Sequence, residues 1–364
     1  MSLSLSPPPS NPVPAPPPRL PGSVRRTSTV LMSWPDGLGT DLHLEGRARD
    51  LLTPIDDGEP SVVSRADLHV VTGRERDILR IEADPAPAGL ERLLGSRAGG
   101  NLRKAIAAEL PEEAANGTPL HLLLDDLAGS TLISGFVFVR WLDHVPEWRE
   151  RFTKAPPSRK MVDICSGFQS GSNALRADGS IVFNQNVAYT GPLADPTDPL
   201  GWHELGEPSV PGMRRARRID VWDDAGALGI DAMFRDSAWD PDGREIVVHE
   251  YQLLAQADRT SGVLLSVTAE PRVLPYAECP GAAPNAQWMA GTELRAMRTE
   301  VLARLQKADC CTHLNDALRS LAEVPVLAAA LPAPGAESVK IGDKVQVWFD
   351  QVNEAPLSPR ARMA

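Results

Sequence analysis

The chain has 364 residues, 42% of them hydrophobic, and a formal net charge of −11 at neutral pH. This length allows two ordinary domains, while the acidic balance argues against nucleic acid or an anionic membrane as a partner. No apolar stretch reaches the roughly 20 residues that a membrane-spanning helix needs. Because four cysteines are too few for a disulfide scaffold in a chain of this length, we expect a cytoplasmic protein with reduced thiols.

The N-terminal segment, residues 1–22, is rich in proline and serine. Proline lacks a backbone N–H and has a restricted φ, so this segment is predicted to be a disordered tail. Residues 23–145 form a first unit, in which alternating apolar residues predict strands at 61–71 and 78–81. Helical spacing of apolar residues follows these strands, which predicts that the helices of the unit come after its sheet.

Residues 146–212 are rich in Pro, Gly and Asp and are predicted to be a linker packed on the two units. Residues 213–331 form a second unit, again with strands first and amphipathic helices after them. The arginine cluster at 214–218 is interpreted as the charged start of a strand. Residues 332–364 form a tail, in which residues 339–349 could add an edge strand.

The two units repeat one another. The segment Leu44–Asp50 aligns with Ile230–Asp236, and further along His121 aligns with His313. Self-similarity over such a long period indicates a repeated structural unit. We therefore predict an α+β fold of two tandem repeats, each a small antiparallel sheet followed by helices, packed as a pseudo-dimer.

Three candidate metal ligands, His249, Cys279 and Cys311, occur in the second unit alone. Thiolate and imidazole are ligands that suit zinc or iron. The aligned positions of the first unit include Val63 and Pro119, which offer no metal ligand. This one-sided distribution predicts that the site lies in the second unit.

Two further residues beside these ligands, Glu278 and His313, are candidate catalytic acids or bases. Cys311 stands at the predicted start of a helix, where the positive end of the helix dipole favours a thiolate. Each residue also has an ordinary structural explanation, because a buried cysteine behaves as a small apolar side chain. Asp50 and Asp236 occur in both units, which favours a structural role such as pairing with an arginine.

Strand alternation predicts which side chains share a face with His249. Period-two alternation puts His249 on the face of Val247 and Tyr251. Glu250 then points to the opposite face, which we expect to be solvated.

Several segments resemble a bacterial family of domains of unknown function that is marked by a Cys-Thr-His-Leu motif. They are Leu44–Asp50, His249-Glu250-Tyr251, Cys279-Pro280 and Cys311-Thr312-His313-Leu314. Cys165-Ser166-Gly167 resembles the segment that closes such units. The chain resembles two of these units in tandem over residues 24–331, with only His121-Leu122 of the motif kept in the first. The resemblance implies no activity.

The order of strands, ligands and helices in the second unit is also similar to that of NifU/SufE-type iron–sulfur scaffold proteins. This resemblance would put His249, Cys279 and Cys311 at the ligand positions. A histidine at the first position favours a stable mononuclear metal over cluster assembly.

Three function hypotheses remain open. The first is a metal-binding enzyme, a hydrolase or lyase that uses zinc or iron to act on a small molecule. The second is a non-catalytic binding or assembly protein. The third is a metal-free enzyme in which Cys311 is the nucleophile and His313 its base. The sequence specifies neither the reaction nor the oligomeric state.

Overall fold

A single antiparallel sheet of nine strands runs through the molecule in a computed structural model, which describes residues 7–145, 161–183 and 186–332. Helices pack on one face of the sheet, so the α+β prediction is confirmed. The strands are β1 (Ser23–Ser33), β2 (Leu42–Thr53), β3 (Ser61–Thr72), β4 (Ile78–Asp84), β5 (Ala188–Tyr189), β6 (Gly212–Asp224), β7 (Ala227–Trp239), β8 (Glu245–Asp258) and β9 (Leu264–Val273).

The helices follow the strands within each unit. In the first unit they are α1 (Leu102–Glu109), α2 (Pro111–Asn116), α3 (Pro119–Ile133) and α4 (Phe136–Trp141), and in the second α5 (Met297–Arg304), α6 (Thr312–Arg319) and α7 (Val324–Ala329). The described residues also contain 3-10 segments, at Leu90–Leu93, Ser166–Phe168, Cys279–Met289, Leu294–Ala296, Lys307–Asp309 and Ser320–Glu323.

The strand order is β4-β3-β2-β1-β6-β7-β8, and β5 and β9 both pair with β8. The two units meet at the antiparallel pair β1–β6, in which Ser23 lies opposite Trp222 and Ser33 opposite Gly212. The central strands are therefore covered on both faces. Both β1 and β6 are buried along nearly their whole length.

The arginines at 214–218 do lie at the start of a strand, β6, but they are buried. Arg215 and Arg218 are each 1% exposed, because β6 lies in the middle of the sheet. A buried guanidinium needs an ionised partner, and Asp236 and Asp231 supply the carboxylates. The cluster thus forms part of a buried charge network.

A β-bulge interrupts β8 next to His249. Asp236 pairs with His249 whereas Ser237 pairs with Val247, so Val248 is the extra residue. The predicted shared face of Val247 and His249 is therefore wrong. A bulge shifts the alternation by one residue, and Val247 packs on the opposite face with Ala188 and Val273.

Helix α3 is apolar, and most of its residues are buried. The helical segment Pro119–Trp141 is the one candidate, within the described residues, that is long and apolar enough to cross a membrane, which corrects the expectation that no such stretch exists. Most of this segment is buried inside the protein, as core helices of globular folds also are.

The N-terminal segment covers the second face of the sheet, so the predicted disorder does not hold for residues 7–22. The backbone N–H of Val13 donates to Glu250 at 2.6 Å, and Arg235 donates to the carbonyl of Val13 at 2.8 Å. Arg19 pairs with Asp198 of the linker. Proline-rich backbone is held here because buried charged groups of the sheet satisfy the few polar groups that it has.

Glu250 is consequently not solvated, although it does point away from the helices. It is fully buried and forms an ion pair with Arg235. The described parts of the linker lie on the protein, and Trp202 is buried among Leu193, Ala216 and Met233. The predicted edge strand at 339–349 lies outside the described residues.

Candidate functional site

The candidate site is centred on Asp236, a fully buried residue of β7 that points towards the helices. The guanidinium of Arg215 on the neighbouring strand binds it with two hydrogen bonds, from Nε to Oδ1 at 2.9 Å and from an Nη to Oδ2 at 3.1 Å. Two parallel charge-assisted bonds hold the carboxylate in one orientation. Asp236 therefore presents Oδ2 at a defined position.

His249 lies directly opposite Asp236 in the β7–β8 pair. Because the bulge comes just before it, its side chain points to the helix face with Tyr251. Its Nδ1 is 3.7 Å from Oδ2 of Asp236. This nitrogen is buried and has no hydrogen-bond partner among the described residues.

His313 comes from helix α6 and closes the site from above the sheet. Its Nε2 is 3.9 Å from Oδ2 of Asp236, and its ring stacks on that of His249 with centroids 3.5 Å apart. The side chain of His313 is 20% exposed, whereas Asp236 is fully buried. The site therefore reaches solvent on the side of His313.

The three residues offer ligand atoms that all lie within 4.8 Å of one another, the one such group among residues 7–145, 161–183 and 186–332. Two imidazoles and a carboxylate are a ligand set that suits zinc or ferrous iron. The imidazole planes are only 16° apart. Because a nitrogen lone pair lies in its ring plane, one ring must rotate out of the stack before both nitrogens face one ion.

Burial keeps both imidazoles neutral, which is the form that binds a metal. It lowers the pKa of His313 to about 3, with Arg215 as a further cause. Burial also lowers the pKa of His249 well below its usual value, assisted by His313 and opposed by Asp236.

Residues of both units support Arg215. Its guanidinium approaches Asp126 of α3 and Asp316 of α6, both at 3.4 Å, besides pairing with Asp236. Gly129 of α3 makes room for it, since a Cβ at that position would lie 1.9 Å from an Arg215 nitrogen. Helix α3 of the first unit thus helps to position a side chain of the site in the second.

Of the predicted site residues, His249 and His313 come together, but Cys279 and Cys311 do not belong to their group. Cys311 is nevertheless a neighbour, with its Sγ 3.9 Å from Nδ1 of His313. Glu278 lies elsewhere, where its Oε1 accepts a hydrogen bond from the backbone of Asn173 in the linker.

The first unit has no histidine opposite its aspartate, Asp50. Asp50 is bound by Arg26, much as Asp236 is bound by Arg215. The residue paired with Asp50 is Ser64, one residue away from the Val63 that the sequence alignment gives. The same kind of bulge, at Val63, explains this one-residue difference. His121 contacts Glu323 at 3.8 Å, a partner that His313 does not have.

Asp236 is the residue that sequence reasoning undervalued. Its occurrence in both units argued for a structural role, and it does pair with an arginine. The signal that could have identified it is its pairing with His249 on the neighbouring strand. This pairing is missed when the strand is assumed to alternate without a bulge.

Comparison with known proteins identifies one family. Residues 213–327 match the model of a family described as Protein of unknown function (DUF2889). Neither a curated protein nor a solved structure matches the chain at a significant level. The matched range contains Asp236, His249 and His313, so the candidate site lies within a DUF2889 domain that spans residues 213–327.

Proposed function

We propose that the second unit binds a divalent transition-metal ion, zinc or iron, through Asp236, His249 and His313, and that the protein uses it as a small-molecule enzyme of the hydrolase or lyase type. The observation that carries this proposal is the convergence of one carboxylate oxygen and two imidazole nitrogens. Such a set leaves coordination positions open. When bound, the ion would activate water or polarise a carbonyl group.

The surrounding residues fit this role. Arg215 binds both oxygens of Asp236, and it can keep Oδ1 while Oδ2 turns to an ion. The buried Nδ1 of His249, which has no partner among the described residues, would gain one. Access for a small substrate would be on the side of His313, the partly exposed member of the group.

We further propose that the chain is a tandem duplication in which one unit keeps the site. Support comes from the matching strand order on either side of β1–β6 and from the two bulges beside Asp50 and Asp236. Ser64 instead of a histidine leaves the first unit one ligand short.

The test is metal content, measured by mass spectrometry on full-length protein without a histidine tag after incubation with zinc or ferrous iron. His249→Ala should lower the content by one equivalent. The matched control is His121→Ala, the aligned histidine of the first unit, which should leave the content unchanged. Equal metal content in wild type and His249→Ala would overturn the proposal.

A second candidate function is a metal-free, cysteine-dependent enzyme. The observation that favours it is the series Cys311, His313 and Asp236, in which His313 faces the thiol with Nδ1 and the carboxylate with Nε2, each at 3.9 Å. This order of nucleophile, base and orienting carboxylate is that of a catalytic triad. Alkylation of one cysteine in metal-free protein, abolished in Cys311→Ser, would support this function over the first.

A further inference from the structure

An open groove lies on the sheet of the first unit, on the face that points away from the candidate metal site. It has a volume of about 1180 Å³ and is lined by β2, β3 and β4 together with His203 and Glu204 of the linker. In the second unit the N-terminal segment covers this face, where Arg235 and Glu250 bind the backbone of Val13. Several β3 residues of the groove are exposed, so the described residues provide no such cover for them.

Two arginines lie directly opposite each other in the groove. In the strand register Arg49 of β2 pairs with Arg65 of β3, and both residues line the groove. Within the described part of the chain, neither guanidinium forms an ion pair with a carboxylate, and the nearby Asp67 faces Arg47 at 3.8 Å instead. Like charges directly opposite each other destabilise a sheet. The pair therefore lacks a neutralising anion.

The corresponding pair of the second unit has opposite charges. Arg49 and Arg235 each directly precede the aspartate that binds the buried arginine of their own unit. The residue opposite Arg235 is Glu250, and the two form an ion pair. Arg65 therefore stands where the second unit has a carboxylate, and the first unit lacks that negative charge.

The surroundings of Arg49 provide an independent observation. Its Nε is buried and has no hydrogen-bond partner among the described residues, although one Nη donates to the carbonyl of Leu200 at 2.5 Å. Burial lowers the pKa of Arg49, and Arg19 and Arg25 lower it further, against the opposing effect of Asp198. A buried donor without a partner is unusual in a folded protein, and an anion bound here would supply the acceptor.

An apolar surface adjoins the arginines in the groove. Val62 and Val63, which precede Arg65 on β3 by two and three residues, both line the groove and are 54% and 48% exposed. Burying such side chains against an apolar ligand is favourable. The groove therefore offers cationic donors and an apolar contact side by side.

We propose that Arg49 and Arg65 bind the carboxylate or phosphate group of a small organic acid, whose apolar part packs on Val62 and Val63. Guanidinium groups bind both kinds of oxyanion with paired N–H donors. The ligand supplies the negative charge that Glu250 supplies in the second unit. This site goes beyond the proposed metal function, and either proposal can fail without the other.

The first experiment measures equilibrium binding of hexanoate, hexyl phosphate and the neutral hexanamide to the full-length protein by dialysis. We expect one or both acids to bind more tightly than hexanamide, and the tighter acid identifies the anionic group. Arg49→Gln and Arg65→Gln should each weaken its binding by about tenfold or more. The control is Arg80→Gln, because Arg80 lies on the same face but is already paired with Glu82. Acids that bind no better than hexanamide, or that bind both glutamine variants as tightly as wild type, would overturn the proposal.

The second experiment compares Arg65→Glu with Arg65→Gln. Arg65 is exposed, and a glutamate there would face Arg49 as Glu250 faces Arg235. We expect Arg65→Glu to unfold at a higher urea concentration than Arg65→Gln, since opposite charges across a strand pair are stabilising. It should also lose binding of both acids. A lower urea midpoint than that of Arg65→Gln would show that Arg49 is already neutralised in the free protein, and this result or retained acid binding would contradict the proposal.

Discussion

At the scale of single residues, the candidate site depends on a carboxylate that has two tasks. Asp236 neutralises Arg215 in the core and also presents Oδ2 to two histidines. The first task recurs at Asp50 with Arg26, but the second does not. Asp50 is therefore an internal control that separates the pairing with arginine from the presentation of an oxygen to the histidines.

Asp236→Asn should remove one equivalent of bound metal and destabilise the protein. It leaves the Arg215 charge buried without its main partner, which costs about 3–5 kcal/mol of unfolding free energy. Asp50→Asn should lower the free energy of unfolding by a similar amount, because it removes the carboxylate partner of the buried Arg26. It should leave the metal content unchanged. Urea unfolding and metal analysis of both variants check this; equal metal loss in both would contradict it.

His203 predicts a dependence of stability on pH. It is buried between Thr27 and Thr29, and burial lowers its pKa to about 3, assisted by Arg49, Arg47 and Arg214. In the unfolded state the imidazole therefore takes up a proton near pH 6.5, whereas in the folded state it stays neutral at that pH. The contribution of neutral His203 to the free energy of unfolding is therefore fully present above about pH 6.5. It is lost as the pH falls from about 6.5 towards 3.

The expected size is about 1.4 kcal/mol of unfolding free energy per pH unit for this one histidine. His203→Gln should reduce the slope of the free energy of unfolding against pH by that amount between pH 6 and pH 4. This holds whatever the substitution does to stability at pH 7. Urea unfolding with a chelator present measures the slope. An unchanged slope would mean that His203 titrates normally in the folded protein.

At the scale of elements, the helices of one unit act on the strands of the other. Arg215 of β6 meets Asp126 on α3, and Arg26 of β1 meets Glu323 at the end of the 3-10 segment after α6. These buried ion pairs join helix to sheet across the β1–β6 seam. Helix α3 must therefore lie close to β6, both to pack against the sheet and to form the Arg215–Asp126 ion pair.

Gly129→Ala tests that approach. Alanine normally favours a helix over glycine by about 1 kcal/mol, but the new Cβ would overlap the guanidinium of Arg215. We expect a net loss of roughly 2 kcal/mol from overpacking and a displaced ion pair. Gly135→Ala, whose Cβ would meet its nearest atom only at 3.9 Å, is the control and should be nearly neutral. Thermal or urea unfolding separates the two.

At the scale of the whole molecule, the two faces of the sheet are covered by different kinds of chain. Helices and apolar side chains cover one. The N-terminal segment and the linker cover much of the other, through charged and backbone groups and through the apolar contacts of Trp202. Glu250 and Arg235 form a buried pair that binds both backbone polar groups of Val13. The N-terminal segment thus completes the fold of the second unit.

Val13→Pro should show how much this segment contributes. It removes the N–H that donates to Glu250, and losing a hydrogen bond to a charged group costs about 1.5–3 kcal/mol. Val13→Ala keeps the N–H and serves as control, so it should lose only part of this energy. Limited proteolysis should cut the N-terminal segment faster in the proline variant. Equal protection of both variants would show that side-chain packing holds the segment.

The sequence by itself determined that strands come before helices in each unit, and it named two of the three residues of the site, His249 and His313. Local periodicity predicts strands before helices in each unit, because it depends on neighbouring residues only. The one-sided occurrence of His249 and the alignment of His313 also follow from sequence. These predictions depend on local patterns that can be recognised before the strand register is known.

Tertiary structure alone decided which of these residues meet. The bulge at Val248 turned Val247 away from His249, and the strand register brought Asp236 to the two histidines. The return of the linker brought Ser166 into hydrogen bonds with the backbone carbonyls of Cys310 and Glu278. Burial of the proline-rich segment depended on a distant ion pair, Arg235–Glu250. Contacts between distant parts of a chain are set by register and by which surfaces cover each other, and neither property is encoded in local spacing.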